Sequence, residues 1–186
     1  MNLLVPNLGS TSLKYQILEM PGEAVLAKGK LERVTDYGGA LECIATAGIP
    51  IDAIALKAVH GGPDYRGTFL VDAGVLAAMR RYLAAAALHN AIYLAAIEGF
   101  EKAMPGLPIV CAFEPEFHST MPEYARLYGV PAEWRAEGVV KYGFHGASHQ
   151  FIAGRVREML GRNPKLVSCH LGGSSSICEM CIRDRL

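Results

Sequence analysis

Apolar positions in the first third of the chain recur with a period of two. Leu3, Leu4 and Val5 form a short apolar run, residues 12–18 alternate roughly, and residues 24–34 give a third strand candidate after the turn signal Pro21-Gly22. Successive side chains of a strand point to opposite faces, so this rhythm predicts three strands joined by tight turns. Residues 51–59 make a fourth strand, closed by the break His60-Gly61-Gly62-Pro63. The rhythm then lengthens. From 72 to 87 apolar residues recur at three and four, with Asp72 as a candidate N-cap and Arg80-Arg81 on the opposite face, which predicts a helix. A second helix is expected over 90–103, stopping at Met104-Pro105-Gly106, with His89-Asn90 between the two. A strand over 107–113, a helix over 146–160 with Ser148 as a candidate cap, and a strand over 165–171 complete the pattern.

Three strands, a fourth, then helices alternating with single strands predict an α/β domain whose mixed sheet is flanked by helices. No internal repeat and no Gly/Ser- or Pro-rich linker marks a boundary within the chain.

Composition narrows the class. Of 186 residues, 51% are hydrophobic and 19% charged, which excludes global disorder. The longest apolar runs, such as residues 83–88, are far too short to cross a bilayer, and the first residues carry no basic region of a secretory signal. Lys+Arg 18 against Asp+Glu 18 removes the electrostatic footprint of a nucleic-acid binder. The five cysteines, Cys43, Cys111, Cys169, Cys178 and Cys181, are odd in number and scattered. Three lie in apolar, strand-like surroundings, as reduced core residues do. Cys178-Glu179-Met180-Cys181 has a redox or half-zinc spacing but no partner pair, so it reads as chance. A soluble, cytoplasmic, globular protein is expected, with no nucleic-acid or membrane partner.

Two small-residue loops carry candidate chemistry. Asn7-Leu8-Gly9-Ser10-Thr11-Ser12-Leu13-Lys14 reads as a strand, tight hairpin and strand, and His170-Leu171-Gly172-Gly173-Ser174-Ser175-Ser176 repeats the idea after a later strand. Backbone amides and hydroxyls in such turns can cradle phosphate oxygens, with Lys14 as a point charge. Each loop alone is equally readable as an ordinary polar hairpin. Neither fits a Walker loop or a Rossmann fingerprint. A scatter of polar groups also gathers near predicted strand and helix ends: Lys57 and His60, His89-Asn90, Glu114, Glu116 and His118, and Tyr142-Gly143-Phe144-His145-Gly146. Sites of α/β proteins collect at such places, although a lone histidine is more often structural.

Taken in order, six motifs resemble those of the acetate kinase family, within the actin, sugar-kinase and heat-shock ATPase superfamily. They are Asn7 to Lys14, Val59-His60-Gly61-Gly62, Leu88-His89-Asn90, Phe117-His118-Ser119-Thr120-Met121-Pro122, Tyr142-Gly143-Phe144-His145-Gly146 with Ser148-His149, and His170-Leu171-Gly172. The resemblance runs from Met1 to about Cys178. It implies a ribonuclease H-like domain, the first half of a duplicated actin-like ATPase fold, in a homodimeric enzyme. The implied reaction is Mg²⁺-dependent phosphoryl transfer between ATP and acetate or a similar short carboxylate, giving an acyl phosphate and ADP.

The same resemblance implies residue roles. Asn7 would lie at the metal-phosphate end and Lys14 near the ATP phosphates. His170, Leu171, Gly172, Gly173 and Ser174 would form a second phosphate-binding turn. Lys57 stands where the family has an Arg that pairs with the substrate carboxylate, and His89 lies on the substrate side. Val59, Leu88 and Phe144 match the apolar wall around the acetate methyl. His145 matches the residue that stabilises the transferring phosphoryl group. Glu114 falls where the family carries a catalytic Asp and would hold the hydrated Mg²⁺ directly or through water.

Three departures bear on the substrate. Lys57 cannot grip a carboxylate bidentately as a guanidinium does. Glu114 is one methylene longer than Asp, and Gly173 replaces an Asn. A propionate or butyrate kinase, or a non-catalytic nucleotide- or phosphate-binding module, are the competing readings. Residues 179–186 fit no strand alternation and are expected to be a non-family tail, a truncation or read-through scar. The chain is accordingly expected to be a fragment, inactive by itself.

Overall fold

The alternating segments assemble into one sheet. The computed structural model describes residues 1–9, 12–45 and 48–180, and these fall into two compact units, Met1–Phe113 and Glu114–Leu186. In the first, β1 (Asn2–Leu8), β2 (Ser12–Glu19) and β3 (Ala24–Glu32) form an antiparallel meander. β1 pairs in parallel with β4 (Ala53–Ala58), and β4 in parallel with β6 (Ile109–Phe113). The short β5 (Thr68–Leu70) closes the edge antiparallel to β6, giving the order β3-β2-β1-β4-β6-β5.

Parallel neighbours need crossovers, and helices supply them. α1 (Tyr37–Ala45) links β3 to β4, while α2 (Ala73–Arg81), a 3-10 turn (Leu83–Ala86) and α3 (Ala87–Ala103) lie between β5 and β6. Leu4, Leu13, Ile17, Ile54, Leu56, Met79, Ile97, Phe100, Cys111 and Phe113 form the heart of the core. α1 packs on α3 through a glycine pair: a Cβ on Gly99 would stand 2.7 Å from the backbone N of Gly38. Asp72 caps α2 as its sequence predicts, its Oδ1 accepting from Val75 N at 2.8 Å.

Two helical expectations need correcting. The helix expected over 72–87 ends at Arg81 and tightens into the 3-10 turn, and α3 begins at Ala87, so His89 and Asn90 lie inside a helix. Asn90 survives there because its fully buried amide donates to His60 O at 2.8 Å and Met79 O at 3.3 Å. A buried polar group with partners does not break a helix.

The second unit comprises a 3-10 turn (Glu114–His118), α4 (Glu123–Arg126), α5 (Ala132–Ala136), α6 (Gly146–Leu160), and a ribbon of β7 (Leu166–Leu171) and β8 (Ser175–Met180). α6 ends at Gly161 in the left-handed region, as its sequence suggests. Ser148 is not its cap: that position belongs to His145, and the Ser148 hydroxyl meets His170 Nδ1 at 3.0 Å. β8 continues through Glu179 and Met180, paired with Val167 and Leu166, so the expected break at 179 is not a break in the strand. Residues 181–186 lie outside the described residues.

Alternation gives the ribbon two unlike faces. Ser168, His170, Ser176 and Cys178 share one; Val167, Leu171 and Ile177 share the other and are 60%, 75% and 71% exposed. Among the described residues of this unit, the buried side chains are Glu114, Pro115, His149 and Ser168. Cys111 is a core residue as expected, whereas Cys169 is exposed. Among the described residues, no helix is long and apolar enough to cross a membrane.

Candidate active site

The segment Tyr142-Gly143-Phe144-His145-Gly146 is shaped by its glycines. Gly143 has φ 80°, and a Cβ there would overlap the His118 ring. A Cβ on Gly146 would overlap the carbonyl oxygen of Glu114. Only glycine combines that backbone freedom with such close approach. Between them His145 itself sits at φ 60°, a conformation that is costly for a residue with a Cβ. Glu114 holds it there: its buried carboxylate Oε2 accepts from His145 N at 2.8 Å.

The imidazole of His145 then meets three neighbours. Its Nδ1 lies 3.0 Å from Ser176 Oγ, its Nε2 lies 3.2 Å from Ser174 Oγ, and its ring stacks on His170 with centroids 4.1 Å apart. One helical turn later, His149 is 1% exposed, with Nδ1 3.0 Å from Ser168 Oγ and Nε2 2.8 Å from the same Ser176 Oγ. His118 packs edge-on against His149 at 5.9 Å.

Burial holds the His149 imidazole below its ordinary titration range, and the neighbouring His145 and His170 push it the same way. His118 is lowered by burial and then by His149. Both rings are therefore neutral near pH 7. These two rings therefore offer uncharged N–H donors rather than imidazolium cations.

The predicted site residues divide between the two units. In the second, Glu114, His145, His170 and Ser174 come together, with Ser174 following Gly172 and Gly173 in the exposed turn between β7 and β8. Leu171 and Phe144 are exposed there, at 75% and 38%. In the first, Asn7 and Lys14 face each other across the β1–β2 register, both exposed. The intervening Ser10 and Thr11 lie outside the described residues, while Tyr37 Oη ties the turn by donating to Gly9 O at 2.8 Å. Lys57 is exposed on β4, Val59 is 8% exposed within the core, and His89 is exposed on α3. For Leu88 only the backbone is described.

Sequence reasoning gave no role to His149, Ser168 or Ser176. The available signal was the spacing of His145 and His149, four apart at the start of a helix and so on one face. Ser176 was absorbed into a phosphate-loop reading, although alternation turns it inward.

The six-stranded mixed sheet with helical crossovers, with the neighbours it superposes on, places the chain as the first half of an actin-like ATPase fold. The chain belongs to the acetokinase family, whose model matches residues 41–183. It is 37% identical over 218 residues to an acetate kinase of Natranaerobius thermophilus, covering 97% of this chain and 55% of that protein. Among solved structures, Porphyromonas gingivalis acetate kinase superposes with a TM-score of 0.81 at 30% identity. A propionate kinase from Francisella tularensis gives 0.87 at 26% identity, and in both cases 97% of this chain matches 55% of the other. The chain thus spans about half the length of the relatives it matches.

Proposed function

We propose that the chain supplies the acid-side half of an acyl-phosphate-forming kinase, which transfers a phosphoryl group between ATP and acetate or a similar short carboxylate. The observation that carries this reading is His145. Its backbone is fixed by Glu114, and its Nε2 reaches the exposed Gly172-Gly173-Ser174 turn. Phosphoryl transfer demands positioning and charge stabilisation rather than covalent help from the protein. A preorganised donor beside an exposed glycine-serine turn is suited to the equatorial oxygens of the transferring group.

The other candidate residues suit this chemistry each by its own type. Lys14, exposed at the hairpin, would neutralise phosphate charge, and Lys57 would attract the acid's carboxylate as a single ammonium. The exposed Phe144 would supply apolar contact for a short alkyl group, and Val59, in the core of the first unit, is an apolar candidate for the same role. The reaction implies Mg²⁺ carried with ATP. Among the described residues no cluster of three or more His, Cys, Asp or Glu could cage an ion. Mg²⁺ keeps several waters and takes one or two protein oxygens alongside substrate phosphates. The exposed Asn7 amide offers one such oxygen. When bound, the ion would offset phosphate charge; Glu114, with Oε2 committed to His145, acts here by orienting the histidine.

The test is a chimera in which residues 1–178 are followed by the remaining length of the Natranaerobius thermophilus relative. It should form acetyl hydroxamate from acetate, ATP, Mg²⁺ and hydroxylamine, and His145→Ala should abolish the product. A folded chimera that binds ATP but turns over no short acid would favour a nucleotide-binding module instead.

A further inference from the structure

We infer that Ser176 and His149 are positioning residues: with Ser168 they form a one-way hydrogen-bond wire that fixes His145 as the tautomer carrying its proton on Nε2. The contacts form a path, Ser168 Oγ to His149 Nδ1 (3.0 Å), His149 Nε2 to Ser176 Oγ (2.8 Å), Ser176 Oγ to His145 Nδ1 (3.0 Å), and His145 Nε2 to Ser174 Oγ (3.2 Å). With both imidazoles uncharged, each ring nitrogen is donor or acceptor but not both, whereas a hydroxyl donates one proton and can accept two. Among the described residues the partners of Ser176 Oγ are the two ring nitrogens, so a pattern in which it accepts from both leaves its own O–H without an acceptor. Where Ser176 donates to one ring and accepts from the other, the donors all point outward, from Ser168 towards Ser174, or all inward, and one end sets the whole chain.

The buried end decides. Ser168 is 5% exposed, and among the described residues its hydroxyl has His149 Nδ1 as its hydrogen-bond partner. In the inward pattern His149 would donate to Ser168, leaving the Ser168 O–H buried with no acceptor. In the outward pattern that proton goes to His149 Nδ1, and only spare oxygen lone pairs are left over. An orphaned buried donor is costlier and rarer than an under-used acceptor. The exposed Ser174 places no opposing demand, since water satisfies either arrangement. Ser168 O–H therefore donates to His149 Nδ1, His149 Nε2–H to Ser176 Oγ, Ser176 O–H to His145 Nδ1, and His145 presents Nε2–H outward. On the kinase reading above, on which this role in catalysis rests, that N–H is the donor offered to the phosphoryl oxygens.

The experiment is long-range ¹H–¹⁵N correlation NMR on the 186-residue chain labelled at histidine, recorded near pH 8. The expected spectrum shows His145 and His149 each as a single Nε2–H tautomer, with both Nδ1 atoms unprotonated. Ser176→Ala should return His145 to a mixture of tautomers, and Ser176→Thr, which keeps the hydroxyl, should restore the single form. A wild-type spectrum with Nδ1–H on either ring overturns the wire, as does a Ser176→Ala spectrum identical to wild type. If Ser176→Ala does not fold, the wild-type tautomers alone decide. In the chimera, Ser176→Ala should lower kcat roughly tenfold or more at unchanged KM, with Ser176→Thr recovering most of it. Should the chimera prove inactive while both rings carry Nε2–H, the kinase reading fails and the wire stands.

Discussion

Glu114 and His145, 31 residues apart, are joined by a 2.8 Å hydrogen bond from the histidine's backbone N–H to the buried carboxylate. The bond offsets the cost of a left-handed histidine, so side-chain chemistry and backbone strain are coupled through one acceptor. Glu114→Ala should destabilise the chain by about 2–3 kcal/mol, the range for losing a charged partner of a buried donor. Glu114→Gln keeps an oxygen and should cost less. Urea midpoints for the three proteins check the order; equal midpoints for alanine and wild type would contradict it.

Gly146→Ala and Gly143→Ala should each be more damaging than an ordinary helix-end substitution. The first places a methyl on the Glu114 carbonyl, and the second on the His118 ring at positive φ. Overpacking of this kind costs about 1–3 kcal/mol or more. Gly154→Ala, in the same helix with nothing within 4 Å of the new methyl, serves as the control and should be neutral or slightly stabilising. Thermal melts of the three variants separate local crowding from a general effect of alanine.

In the first unit, Asn90→Asp should be worse than Asn90→Ala. The buried amide donates to two carbonyls; alanine loses those bonds, while aspartate adds a desolvated charge facing carbonyl oxygens. We expect about 2 kcal/mol for alanine and a larger loss above pH 6 for aspartate, read by denaturant titration.

Acid should weaken the fold before carboxylates titrate. His60, His118 and His149 are all held below the ordinary imidazole value of 6.5, each first by burial. Between the ordinary value and the lowered folded value the unfolded chain binds more protons. Their contribution is therefore full above about pH 6.5 and is lost as pH falls below it. Urea midpoints at pH 7.5, 6.0 and 5.0 should fall in that order; a flat profile across this range would refute the assignment of neutral buried rings.

Thiol reactivity should follow the fold and not the sequence context. Burial pushes the Cys111 thiol up to about 12, whereas Cys169 is exposed on β7. Peptide mapping after brief iodoacetamide treatment of the native chain should find Cys169 alkylated and Cys111 untouched.

Much of the sheet was legible because its signal is local. β1 is a short apolar run, β2 alternates and β3 follows the turn signal Pro21-Gly22, while β4 and β6 are short apolar runs with clear stops. α1 was missed because Tyr37-Gly38-Gly39-Ala40 has weak helix propensity. Its glycines serve a close approach to α3, which only the tertiary structure reveals. β5 is three residues long and exists through pairing with β6. His145 and Glu114 were found through motif resemblance, and their direct bond was not foreseeable from spacing. The inward placement of Ser168 and Ser176 is a different case: it follows from strand parity in a hairpin whose register the sequence leaves open.

The ribbon of β7 and β8 contributes Ser168, His170, Ser174 and Ser176 to the cluster, yet it has only two strands and bares Val167, Leu171 and Ile177 on its far side. Two-stranded ribbons are marginal structures in water. Local opening of this element, the kind amide hydrogen exchange detects, would remove four cluster side chains in one event while the six-stranded sheet stayed intact. The fraction of molecules with an assembled histidine cluster is then set by the opening equilibrium of the ribbon with its turn, residues 166–180, and not by the global stability of the chain.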